Sequence, residues 1–135
     1  PKEGLYFLDF TSGEPYTNFE HLTYWGELLS GYAVNPAWVL SLLDGEFIEV
    51  GFSLSQPLHL GALYLWGKAQ DEVFLKIILN DQLIFSGRAA EGMVSPSEAQ
   101  MIYIADYLKL GNNLLRIEVE SSQGLYHLQR LLVVF

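Results

Sequence analysis

Alternation of apolar and polar residues runs through much of this chain. In "NLLRIEVE" (113–120), Leu115, Ile117 and Val119 fall on one side, with Arg116, Glu118 and Glu120 on the other. In "EFIEVGFSL" (46–54), Ile48, Val50, Phe52 and Leu54 alternate with Glu49 and Ser53. Near the start, Tyr6, Leu8 and Phe10 alternate with Phe7 and Asp9. Successive side chains of a strand point to opposite faces, so this period of two predicts half-buried strands. "LHLGALYLW", "VFLKIILN" and the terminal "LLVVF" are apolar almost throughout, as suits strands placed centrally in a sandwich.

Turn chemistry separates these runs. Asn80-Asp81-Gln82 lies between "VFLKIIL" and "LIFSG" and predicts a hairpin. Gln56-Pro57 separates two further strands. In "YLKLGNNLLRIEV", Gly111 supplies a positive φ where the chain leaves a helical turn, and Asn112 and Asn113 bond nearby backbone groups. Residues 100–105 are expected to form a strand followed by a helical turn at "DYLK". The competing helix, with Ser97 and Gln100 as a capping box, conflicts with the bulky Ile102-Tyr103-Ile104 run. Residues 18–43 are expected to be a long, partly irregular connection with one or two short helical turns. Short strands joined by turns point to an all-β fold, an antiparallel jelly-roll β-sandwich occupying residues 1–135 as one domain.

The second half also resembles a known group. "FSLSQPLHLGALYLWGKAQDEVFLKIILNDQLIF" followed by "MIYIADYLKLGNNLLRIEV" is similar to the galactose-binding-like jelly-roll domains, which include carbohydrate-binding modules and sugar-binding domains of glycoside hydrolases. Asn80 stands at the Asn of the first motif, with Asp81 in place of its usual Gly. Tyr107, Leu108, Gly111 and Asn113 match the second. The resemblance covers roughly residues 46–135 and implies the fold together with non-catalytic carbohydrate binding. It also implies a structural calcium near the termini, although Asp9 and Glu14 lack the clustered D-x-D spacing of such a site.

Composition narrows the classes. Half of the 135 residues are hydrophobic and 17% are charged, which excludes a disordered chain. Net charge is −9, with residues 1–60 carrying eight acids against Lys2 alone; this repels phosphate backbones and argues against nucleic acid. "LGALYLWG" is too short to span a bilayer as a helix. There is no cysteine, so thiol chemistry and disulfides are absent. The start at Pro1 points to an excised domain or a processed protein. No G-x-S-x-G, P-loop or dinucleotide motif occurs, and His21, His59 and His127 have no sequence-local partners. These observations argue against an enzyme, a cofactor and a metal site.

Candidate binding residues come from the aromatic density of residues 16–38: Tyr16, Phe19, Tyr24, Trp25, Tyr32 and Trp38, beside Asn18, His21 and Asn35. Aromatic rings stack on the CH-rich faces of sugars while polar groups bond their hydroxyls. Tyr24 and Trp25, next to Gly26, are the leading ligand-binding candidates, followed by Tyr32 and by Arg88 after Ser86-Gly87. Phe19, Trp38 and Trp66 are expected to pack on the core. The competing role for the whole cluster is core cover, in a structural or protein-interaction domain of a larger assembly.

Overall fold

The computed structural model describes residues 4–34, 37–56 and 60–135. Asn35, Pro57 and His59 lie outside the described residues. Among the described residues twelve strands follow one another: β1 (Leu5–Asp9), β2 (Tyr16–Thr17), β3 (His21–Trp25), β4 (Glu27–Ser30), β5 (Trp38–Leu42), β6 (Phe47–Leu54), β7 (Ala62–Gln70), β8 (Phe74–Leu79), β9 (Gln82–Arg88), β10 (Gln100–Tyr103), β11 (Gly111–Glu120) and β12 (Leu125–Val134). They form two antiparallel sheets packed as a jelly-roll sandwich. One runs β3-β6-β11-β8-β9, and the other runs β10-β7-β12-β1-β2 with β5 also on β12 and β4 on β5.

The alternating segments become strands that bury the expected side. Ile48, Val50, Phe52, Leu115, Ile117, Val119, Leu8 and Phe10 join one core with residues of the facing sheet, among them Leu40, Leu63, Leu65, Leu128 and Leu131. The uniformly apolar runs are central, as expected. β12 pairs along one edge with β7 and shares its other edge between β5 (at Tyr126–Leu128) and β1 (at Arg130–Val134). A register shift between Leu128 and Arg130 separates the two partners, and the Gln129 carbonyl there accepts the Phe10 amide at 3.0 Å.

Residues 18–43 differ from expectation. Rather than an irregular connection with helical turns, they contain β3, β4 and all of β5. "HLTYW" alternates as strictly as the other strands, with Leu22 and Tyr24 packed on the core and His21, Thr23 and Trp25 on the outside. At Gly26 the chain crosses from one sheet to the other against Leu42; a Cβ there would lie 2.6 Å from Leu42 Cδ2, so the crossing depends on the missing side chain.

The two motif turns are structural. Asn80 and Asp81 take φ of 52° and 66°, the two left-handed residues of a tight β8–β9 hairpin. Asn80 Oδ1 accepts the Leu114 amide at 2.9 Å, and its Nδ2 donates to Asn113 Oδ1 at 2.8 Å. Asn113 is buried; its side chain accepts the Lys109 amide at 2.9 Å and donates to the Lys109 carbonyl at 2.8 Å. β10 is followed by a single 3-10 turn at Ala105–Tyr107, as anticipated for "DYLK", and Leu108 packs against the core.

One core residue is imperfectly satisfied. The Tyr126 ring fills the space over Gly67, where a Cβ would fall 2.0 Å from the phenol oxygen. That hydroxyl is fully buried and has no hydrogen-bond partner among the described residues. An unpaired buried hydroxyl costs about 1–3 kcal/mol. Tyr126→Phe is therefore expected to stabilise the fold by ~1 kcal/mol in urea unfolding. Asn113→Ala, which strands the Lys109 amide and carbonyl, is expected to destabilise it by about 2–3 kcal/mol in the same measurement; an unchanged midpoint would remove the clamp from the account of the turn.

Candidate functional site

The outer face of the five-stranded sheet gathers chemistry from three strands. Cross-strand registry sets Trp25 opposite Phe47 and Phe47 opposite Glu118, and in the next row Thr23 opposite Glu49 and Glu49 opposite Arg116. The Arg116 guanidinium lies 3.7 Å from the centroid of the Phe47 ring. Its Nε donates to Glu118 at 2.6 Å, and its Nη1 lies 3.5 Å from Glu49. Glu49 reaches His21 Nε2 at 3.2 Å, and the same nitrogen is 3.2 Å from Thr23 Oγ1. The result is a braced cation on an aromatic ring, with carboxylates on two sides. Trp25 stands beside it 64% exposed, its indole N–H without a partner among the described residues. The arrangement suits a polyhydroxylated ligand: an open indole for a CH-rich face, and fixed donors and acceptors for hydroxyls.

The sequence candidates are dispersed. Trp25 alone sits at this strip. Tyr24 points the other way, its ring edge-on to Phe10 at 5.7 Å, as alternation along β3 requires. Arg88 shares the outer face but lies on β9, four strand spacings or roughly 19 Å from Trp25, where it pairs with Glu72 at 3.3 Å and Glu91 at 3.2 Å. Tyr32 belongs to the other side of the molecule. Of the expected core covers, Phe19 is buried and stacks on Tyr6, whereas Trp38 lies over Gly13 and remains 40% exposed. Trp66 packs on a small separate cluster of Ala33, Val39 and Val94, not in the main core, with its Nε1 donating to the Pro96 carbonyl at 3.1 Å. Phe47, Glu49, Arg116 and Glu118 were missed as site residues. The usable signal was the outward set of two alternating strands, which carries aromatic and opposite charges.

Beneath Tyr32 the fold brings together residues far apart in sequence. The Tyr32 ring stacks on His127 at 4.2 Å, and His127 Nδ1 is 2.6 Å from Ser41 Oγ. Nε2 faces Gln70 Oε1 at 3.5 Å. A ring that points its Nε2 proton at Gln70 leaves Nδ1 to accept the Ser41 hydroxyl, so the neutral imidazole satisfies the site. Burial holds the His127 pKa below its ordinary value. Serine and histidine are in contact, yet both are buried and the partner of the ring is an amide where a catalytic triad has a carboxylate. The arrangement reads as a satisfied buried polar pair.

Among the described residues, no three His, Asp or Glu side chains converge to hold a metal ion. Asp9 is committed elsewhere. Burial alone would raise its carboxyl pKa, but the Thr11 amide and the Arg130 guanidinium outweigh burial and hold it below the ordinary value. Asp9, so engaged, does not fit the calcium site implied by the resemblance.

The fold itself is shared with known binding modules. No protein-family model and no curated protein sequence matches the chain. Solved structures do match. The CBM36-1 domain of a multidomain xylanase from the hindgut metagenome of Trinervitermes trinervoides superposes with a TM-score of 0.64 at 13% identity, covering 97% of each chain. A family 35 carbohydrate-binding module from an environmental isolate gives 0.61 at 15% identity, over 96% of this chain and 92% of the other. A CBM36 module in complex with calcium and xylotriose gives 0.56 at 6% identity, over 82% and 97%. The chain thus has the galactose-binding-like jelly-roll fold of these carbohydrate-binding modules.

Burial of the neutral His127 ties stability to pH. An unfolded histidine titrates near 6.5, the folded one lower, so below about 6.5 the unfolded chain binds the extra proton. This contribution is complete above that value and is lost as pH falls towards the folded pKa. The urea midpoint is expected to drop between pH 7.5 and 5.5, and to drop less in His127→Gln. Equal drops in both proteins would exclude the mechanism.

Proposed function

We propose that this chain is a non-catalytic carbohydrate-binding module whose sugar lies on the outer face of the five-stranded sheet. Trp25 is the stacking platform; Arg116, held on Phe47 by Glu49 and Glu118, together with His21 and Thr23, bonds the hydroxyls. The observation that carries this reading is a largely exposed indole at a rigid strand position beside an already braced guanidinium. Preorganisation matters because sugar hydroxyls are strongly hydrated, and each unpaired group left on binding offsets the gain from stacking. The shared jelly-roll fold supports the class of ligand, and the xylotriose complex of one neighbour makes xylo-oligosaccharides the first probes to try.

The test is a titration of intrinsic tryptophan fluorescence with xylo-, gluco-, galacto- and manno-oligosaccharides. At least one series is expected to shift the emission. Trp25→Ala is expected to weaken that binding by ~10-fold to 100-fold, as losing an aromatic contact of about 1.5–3 kcal/mol implies. Tyr24→Phe, altered on the buried side of the same strand, should leave it unchanged. Silence across the whole panel would overturn the reading.

A further inference from the structure

We infer that the outer face of the seven-stranded sheet is a second glycan-binding face, taking an uncharged polysaccharide chain laid across the strands. It shares only the ligand class with the proposal above; the residues and the sheet are different. Registry places Met101 opposite Tyr64, Tyr64 opposite Leu132, and Leu132 opposite Phe7, one apolar row across β10, β7, β12 and β1. In the next row on β10, opposite Ala62, Tyr103 is 70% exposed. At the far end Tyr16 on β2 is 69% exposed, its ring centroid 5.3 Å from that of Phe7. Among the described residues the hydroxyls of Tyr16, Tyr64 and Tyr103 take no hydrogen bond, so each ring offers an apolar face and a free polar tip.

The adjoining row supplies polar groups without net charge. Arg130 lies opposite Asp9, its Nε donating to the carboxylate at 3.2 Å, which leaves the terminal guanidinium nitrogens for a ligand. The charges cancel within the face, and the chain as a whole carries −9, so a polyanion is repelled and a neutral polyol is accommodated. Dimensions select among neutral partners. The five strands span about 19 Å and three side-chain rows add about 14 Å along them, roughly 270 Å² in all. A standard protein interface takes ~800 Å² per partner, so this face is too small for a stable protein contact. A second copy would also bring a like net charge. A ribbon-like glycan, whose sugar repeat is close to the strand spacing, fits the long axis of the row.

Retention of the full chain on insoluble xylan, cellulose and mannan tests the assignment. Tyr16→Ala combined with Tyr103→Ala changes two largely exposed residues, and circular dichroism checks that the variant folds. The pair is expected to lower retention at least fivefold on one of the polysaccharides while the oligosaccharide fluorescence response of the Trp25 site persists. Trp25→Ala alone should retain part of the polysaccharide binding, and adding the tyrosine pair should abolish it. Unchanged retention in the pair, or no retention of the native chain on any of the three, overturns the second face. So does a dimer in sedimentation that the pair dissociates, since that assigns the face to a second copy. If Trp25→Ala affects nothing while the pair removes retention, the first site fails and this one stands.

Discussion

Strand β12 is the constraint on which the sandwich depends. One edge belongs wholly to β7, and the other is divided between β5 and β1 at the register shift beside Gln129. Two strands separated by most of the N-terminal segment therefore share one edge, and the chain between them is free to send β3 to the opposite sheet. Because β12 is central, its inward residues Tyr126, Leu128, Leu131 and Val133 are fully covered, and its outward His127 and Gln129 must find partners. Ser41, Gln70 and Tyr32 exist in that role for His127. The shift in one strand thus decides both the topology and the position of a buried polar pair.

The two outer faces differ in character for a physical reason. On the five-stranded sheet, opposite charges face one another across β6 and β11, and the guanidinium of Arg116 bridges them over an aromatic ring. Such a network is braced within itself, while the neighbouring Trp25 keeps its indole open to solvent. On the seven-stranded sheet, part of the face is covered by the segments around Ala33 and Val94, which pair as a parallel bridge and close a small cluster with Val39. The remainder presents aromatic rings to solvent. The sandwich therefore presents a charged, braced network at one face and exposed rings at the other.

Much of the scaffold was legible in the residues. Alternation in 46–54 and 113–120 identified the buried side, and Asn80-Asp81 marked a hairpin that only two left-handed residues can close. Of the two asparagines after Gly111 expected to bond nearby backbone, Asn113 does so, whereas Asn112 accepts the Ser53 hydroxyl. Residues 18–43 were harder, because their dense aromatics resemble core cover as much as a site. "HLTYW" obeyed the same period of two, and that signal separates Tyr24 from Trp25 once the segment is read as a strand.

By itself, then, the sequence determined the all-β class, the inward face of each alternating strand and the motif turns, since these depend on side-chain period and on local backbone preference. Tertiary structure alone decided that Trp25 meets Phe47 and Arg116, that His127 meets Ser41, and that Tyr16 and Tyr103 flank one face. Alternation tells a strand which side to bury, but it does not name the neighbour. Pairing between strands distant in the chain is fixed only when both sheets close over a common core.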